Sequence, residues 1–173
     1  MEYRELSLAD SYRVNEINGA QFIAKAWRQI DGKRQLVDIN WQEHQLPNGI
    51  DWHIHHLETA MKNGGAAYGC FEENTLIGFA VINAELFGTT AHYLLLDQLF
   101  ISLEHRGKGI GRKLFGLCCQ GAKKRGADKL YICAGSAEET IAFYFGIGCE
   151  EAQEVNQKLY ELDTRDYQME YTL

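Results

Sequence analysis

Proline is nearly absent from this chain: Pro47 stands alone among 173 residues. No Ser/Pro-rich linker and no repeat interrupts the sequence, so nothing marks a boundary and a single domain over residues 1–173 is expected. No apolar run approaches the roughly 20 residues that a membrane-spanning helix needs. The N-terminal MEYRELSLAD lacks the apolar segment of a signal peptide, which points to the cytoplasm. Cysteine is present but unpatterned. Cys70, Cys118, Cys119, Cys133 and Cys149 are five in number, show no CxxC spacing and sit mostly in apolar stretches, as reduced core thiols do. An excess of cations is also lacking. The net charge is −7, which argues against general nucleic-acid binding and mildly favours cationic partners such as amines.

What is present is a soluble, globular composition, 46% hydrophobic and 24% charged. A domain of this size buries roughly 70% of its unfolded surface, so a core forms without disulfides or metal. Positive charge is local: Arg106, Lys108, Arg112, Lys113, Lys123, Lys124 and Arg125 fall within residues 106–125. A basic island in an acidic chain suits a small anionic ligand.

Hydrophobic periodicity predicts a short strand at EYREL, then a helix N-capped by Ser7, with Asp10 three residues on. Residues 27–50 hold Trp27 and Trp41 among polar residues and read as loops or irregular helix, with a turn at QLPNG. DWHIHHLETAMKNGG reads as a helix from Asp51 with Trp52, Ile54, Leu57 and Met61 apolar, ended by Gly64 and Gly65. His53, His55 and His56 are placed on its polar face, since no third ligand of metal spacing accompanies them. The period then changes. AAYGCFEE and LIGFAVINAEL form a hairpin turning at Asn74-Thr75, and HYLLLDQLFIS forms a long strand. An amphipathic helix from Ile110 to about Arg125, a strand KLYICAG, a helix SAEETIAFYFGIG and two tail strands complete the chain. The fold class is therefore α/β (α+β), a mixed and mostly antiparallel sheet flanked by helices.

The stretch Arg106-Gly107-Lys108-Gly109-Ile110-Gly111 joins strand to helix. A dinucleotide fingerprint fails at Leu114, where its third glycine belongs, and the P-loop string is absent. Backbone amides in such a turn and at a helix start cradle an anion, and glycine keeps side chains out of its way. The six residues fit [QR]-x-x-G-x-[GA]. With the hairpin, long strand and FY-x-x-x-G helix in order from about Ala66 to Gly148, the chain resembles the GNAT superfamily of N-acetyltransferases.

The resemblance implies acetyl-CoA as cofactor, its pyrophosphate held by amides from Arg106 to Arg112, with Lys108 or Arg112 reaching a phosphate. It implies a strand that splays from its neighbour, whose backbone at Ile101 and Leu103 meets the pantetheine arm. Many relatives carry asparagine at the start of the FY-x-x-x-G helix; here Ser136-Ala137 stands there, and Ser136 is the substitute contact. Tyr144 matches the family tyrosine that faces the coenzyme sulfur and is the expected acid for the leaving thiolate.

Asp97 interrupts LLLDQLFI, where a charge is costly to bury without a purpose. Strict alternation puts it on one face with Leu95, Leu99 and Ile101. Its role stays open between general base, site for a cationic substrate, and partner of a neighbouring strand, with Glu85 and His92 as reserve bases. No metal is expected. The implied activity is acetyl transfer to a primary amine of a small molecule, directly within a ternary complex. The alternatives are a protein N-terminus or lysine as acceptor, a longer acyl group, or a noncatalytic acyl-CoA-binding module. Relatives are often homodimers, but no interface is legible in the sequence.

Overall fold

The computed structural model describes residues 1–173. Strand β1 (Glu2–Glu5) leads into a 3₁₀ stretch, Leu8–Glu16, rather than an α-helix. Its start is held by Asp10, whose carboxylate accepts from the Ser7 amide and hydroxyl at 2.8 Å and pairs with Arg4. Of residues 27–50, expected to be loops or irregular helix, those up to Glu43 belong instead to a long antiparallel hairpin, β2 (Gln21–Ile30) and β3 (Lys33–Glu43). Its turn is Asp31-Gly32, both at positive φ (51° and 74°), the geometry that suits the twist of a two-residue hairpin.

Helix α1 (Ile50–Lys62) begins one residue before the predicted start and turns a different face inward. Leu57, Ala60 and His53 are buried, whereas Trp52 is exposed. His53 is thus not on a polar face. Its Nδ1 lies 2.7 Å from the Gln98 side-chain oxygen and its Nε2 2.6 Å from the Pro47 carbonyl, so both ring nitrogens are committed to holding α1 on the sheet.

Strands β4 (Ala66–Glu72) and β5 (Thr75–Ile82) make the expected hairpin, with its turn at Glu73-Asn74, both at positive φ. Strand β6 (Tyr93–Ile101), helix α2 (Ile110–Lys124) and strand β7 (Lys129–Ala134) form a crossover unit, and β6–β7 is the one parallel pairing in the sheet. Helix α3 (Glu138–Gly146), the two-residue β8 (Glu150–Glu151), a single turn α4 (Gln157–Tyr160) and β9 (Tyr167–Thr172) follow. The main sheet has the order β1-β4-β5-β6-β7-β9-β8.

Two apolar layers sandwich it. On one face α2 and α3 pack Ile110, Leu114, Cys118, Ile141 and Tyr144 against Leu94, Leu96 and Ile132. On the other, α1 and the 3₁₀ stretch pack Leu57 and Val14 against Phe79 and Val81. The β2–β3 hairpin stands outside the sheet and is tied to the β7–α3 junction. The Trp27 amide donates to the Ser136 carbonyl at 2.8 Å, Arg28 donates to the Ser136 hydroxyl at 2.7 Å, and the Arg34 guanidinium lies 3.4 Å over the Tyr167 ring.

Candidate active site

The site begins at an irregularity in β6. Opposite β5 the register runs Gly78↔Ile101, Phe79↔Phe100, Ala80↔Leu99 and Val81↔Gln98, then jumps to Ile82↔Leu96. Asp97 is the extra residue of a β-bulge. A bulge breaks alternation, and its consequence here is visible on both sides of the strand. Leu94 and Leu96 join the α2 layer before it; Leu99 and Ile101 join that layer after it. Asp97 and Gln98 therefore both face α1, touching His56 and His53. The expectation that Asp97 shares a face with Leu99 and Ile101 is corrected: the bulge moves those leucine and isoleucine side chains to the opposite layer.

The same bulge redirects the backbone. Ser102 donates its amide to Ile77 of β5 at 2.9 Å, so by ladder parity Phe100 and Gln98 also face β5. Leu99 and Ile101 then point their amides the other way. That way lies open, because β6 and β7 pair only from Tyr93↔Lys129 to Leu96↔Ile132. Beyond Leu96 the two strands splay, leaving a wedge faced by the Leu99 and Ile101 amides. The Leu103 amide, by contrast, is taken by the Asn18 carbonyl at 2.9 Å, so it does not face the wedge as a free donor.

At the end of the wedge is the glycine turn. Gly107 and Gly109 sit at φ of 76° and 79°, a conformation that a side chain makes costly, and a Cβ built on either would meet nothing within 4 Å. Gly109 is the N-cap of α2. No side chain caps the helix and its first turn has no acidic residue, so the positive end of a fifteen-residue helix is left for an outside anion. Gly111 serves packing instead. A Cβ there would come 3.2 Å from the Phe143 ring, so this glycine lets α2 and α3 approach.

The cations flanking the turn are partly engaged. Arg106 donates to the Ile101 carbonyl at 3.0 Å, and burial lowers its pKa. Arg112 donates to the Gly146 carbonyl at 3.1 Å, and Lys108 lies 3.3 Å from His105 Nδ1. Arg125 donates to the carbonyls of Gly64, Gly65 and Gly121 and serves as a structural clamp. Ile110 is buried beneath the turn. The Ser136 hydroxyl is occupied by Arg28, a contact sequence reasoning could not foresee while the hairpin was unread.

Tyr144 projects from α3 with its ring buried beside Phe115 and Phe143. Burial raises the phenol's pKa, so it stays protonated at neutral pH. Gln168 Nε2 is the sole sealed side-chain nitrogen or oxygen without a partner, so the Tyr144 hydroxyl, which makes no hydrogen bond in the protein, reaches accessible space.

On the α1 side of the sheet, Asp97 opens into a cleft of about 490 Å³ lined also by His55, His56, Thr59, Asn83 and Glu85. Burial raises the Asp97 carboxyl's pKa, opposed by His56 and by Gln98, whose amide lies 3.4 Å away. His92 is elsewhere, tied to Asp128 at 2.9 Å through its Nδ1. No group of three or more His, Cys, Asp or Glu side chains is arranged to hold a metal. No helix is long and apolar enough to cross a membrane.

Residues 33–147 match the model of the acetyltransferase (GNAT) family. The chain belongs to the GNAT family of acetyltransferases. It is an N-acetyltransferase whose cofactor is acetyl-CoA, and the splayed wedge with an uncapped helix end beyond it fits a thioester arm ending in a diphosphate. A sequence comparison with curated proteins finds no match. Among solved structures, nourseothricin acetyltransferase is similar in fold, with a TM-score of 0.74 and 18% identity over 99% of this chain and 97% of that one. A putative streptothricin acetyltransferase from Bacillus anthracis str. Ames, in complex with acetyl coenzyme A, gives 0.68 and 15% over 99% and 98%. The PaiA N-acetyltransferase from Thermoplasma acidophilum, in complex with coenzyme A, gives 0.61 and 19% over 99% and 98%.

One carboxylate of this GNAT protein escaped the sequence reading. Asp166, in the loop before β9, has its pKa raised to about 7 by burial first and by Asp163 second. The Cys133 thiol is pushed up to about 12 by burial first and by Asp166 second, opposed by its contact with the Gln168 side chain. Asp166 is ionised in the unfolded chain above about pH 4 and protonated in the folded one up to about pH 7. Its contribution to stability therefore falls as pH rises through that window and stays unfavourable above it. Asp166→Asn is expected to raise Tm at pH 8 and leave it unchanged at pH 4, measured by thermal melting; an equal shift at both pH values refutes the buried-charge account.

Proposed function

We propose that this GNAT enzyme transfers an acetyl group from acetyl-CoA to a primary amine of a small cationic molecule, directly within a ternary complex. The observation carrying the proposal is the acidic cleft that ends at the bulge: Asp97 and Glu85 line it and no lysine or arginine does. A protonated amine is drawn to such a cleft, and the bulge delivers it to the wedge. Its volume falls within the roughly 300–1,000 Å³ of small-ligand sites, whereas a protein substrate needs an open groove. That two structurally similar proteins are named for acetylating nourseothricin and streptothricin is consistent with this reading.

Acetyl-CoA supplies the activated acyl group. The chain's own residues do the rest. Amides at the start of α2, from Arg106 to Arg112, bind phosphate, with Lys108 adding charge. The Leu99 and Ile101 amides, aimed into the wedge by the bulge, orient the arm and polarise a carbonyl oxygen placed there. Tyr144 holds a proton at its hydroxyl for a departing thiolate, and Asp97 serves deprotonation of the incoming amine. No cysteine acts as an acyl carrier, because burial keeps the thiols of Cys70, Cys118, Cys119, Cys133 and Cys149 protonated.

The test is a panel of amines, amino sugars, polyamines and lysine peptides with acetyl-CoA, followed by release of free thiol. Turnover of small polycationic amines with little transfer to peptides is expected. Coenzyme binding without transfer to any member instead favours a noncatalytic acyl-CoA-binding module.

A further inference from the structure

We propose that His56, on α1, is the group that takes the ammonium proton from the acceptor, with Asp97 acting through it. This deepens the acetyl-transfer reading and rests on it. Of the three histidines of α1, His53 has both nitrogens engaged inside the protein, and His55 has no carboxylate within ion-pair distance. His56 alone joins the two features a proton acceptor needs. Its Nδ1 lies 3.9 Å from Asp97 Oδ2, and its ring lines the cleft.

The ring is also held. Trp52, one helical turn earlier, stacks on it at a centroid distance of 3.7 Å and an interplanar angle of 21°. This pair at i and i+4 fixes the imidazole plane along the helix surface, and an indole face favours a cation above it. Trp52 itself is exposed, so packing of the core does not explain its position. With Nδ1 turned to Asp97, Nε2 has no partner within the protein and is the nitrogen available to the cleft.

The proton balance is simple. The acceptor enters as an ammonium, and one N–H bond breaks. The electron pair stays on the amine as its nucleophilic lone pair, and the proton goes to His56 Nε2. The resulting imidazolium faces Asp97 through Nδ1–H and returns its proton to water through its exposed edge. The charged and titratable groups that line the cleft with His56 are Asp97 from β6, Glu85 from the segment after β5, and His55 from its own helix. No lysine or arginine lines the cleft beside it. Asp97 sits too deep to meet a bulky ammonium easily, with its side chain 14% exposed against 38% for His56.

The experiment is steady-state kinetics from pH 5.5 to 10 on wild type and His56→Gln, with an amine that wild type acetylates and acetyl-CoA affinity measured in parallel. The expected result is a fall in kcat/KM of about 100-fold or more at pH 7. The loss should shrink toward pH 10, where free amine becomes abundant without a base. Acetyl-CoA affinity should be unchanged. A wild-type profile in His56→Gln, or a loss equal at every pH, overturns the role of His56 while leaving acetyl transfer intact. A wild type that binds acetyl-CoA yet acetylates no amine overturns the parent reading and this one with it.

Discussion

Tyr144→Phe is expected to lower kcat by about 100-fold to 1,000-fold at pH 7, with acetyl-CoA affinity and Tm held at wild-type values. The substitution removes one oxygen and keeps the ring that packs edge-on to Phe115, at 6.4 Å, and to Phe143, at 5.2 Å. Stability is spared because that oxygen has no protein partner to abandon. Rate is not spared, because a thiolate leaving into a buried, poorly solvated place lacks a proton donor once the phenol is gone. Burial raises the Tyr144 pKa, which keeps the donor loaded across the physiological range and makes it a weaker acid than a free phenol. Stopped-flow release of free thiol, with calorimetry for coenzyme, separates the two effects. An unaltered kcat removes Tyr144 from the chemistry.

The elements that face a core were legible in the sequence, and those that do not were not. Strands β4, β5 and β7, β6 on either side of its bulge, and helix α2 bury one or both faces, so they stand out in the sequence. The β2–β3 hairpin has a single fully buried residue, Ala26, and exposes Phe22, Ile30, Leu36 and Trp41. With no core to demand alternation, the pattern is scrambled, and only the Asp31-Gly32 dipeptide announces the turn. His53 was misplaced for a related reason: a histidine bound at both nitrogens is as good an interior residue as a leucine, but composition cannot reveal its partners. Asp97 shows how the site itself evades periodicity. Its importance was readable from the cost of a charge in mid-strand, but its direction was not, because a bulge has no signature in one strand alone. Both the neighbouring strand and the register jump are needed to see that Asp97 and Gln98 turn the same way.

The glycine turn offers the sharpest separation of binding from folding. Gly109→Asp puts a carboxylate where the structure has open space, at the uncapped end of α2. Aspartate tolerates the left-handed conformation better than most residues, and its charge suits a helix N-terminus, so the strain of a side chain at this φ should cost only a few degrees of Tm. A diphosphate brought to the same amides meets that charge. Two unit charges 4 Å apart at a surface-like dielectric of 20 repel by about 4 kcal/mol, and salt reduces this. Loss of acetyl-CoA affinity of about 100-fold or more is therefore expected by calorimetry. Gly111→Ala reverses the pattern. Its methyl would lie 3.2 Å from the Phe143 ring, so the ring must give by a few tenths of an ångström and any change in Tm reports that α2–α3 contact against the gain in helix propensity, while the anion-facing amides keep their geometry and acetyl-CoA affinity holds. If Gly109→Asp binds acetyl-CoA as wild type does, the amides at the head of α2 do not hold the diphosphate, and the basic side chains around them must be reconsidered as the anchor.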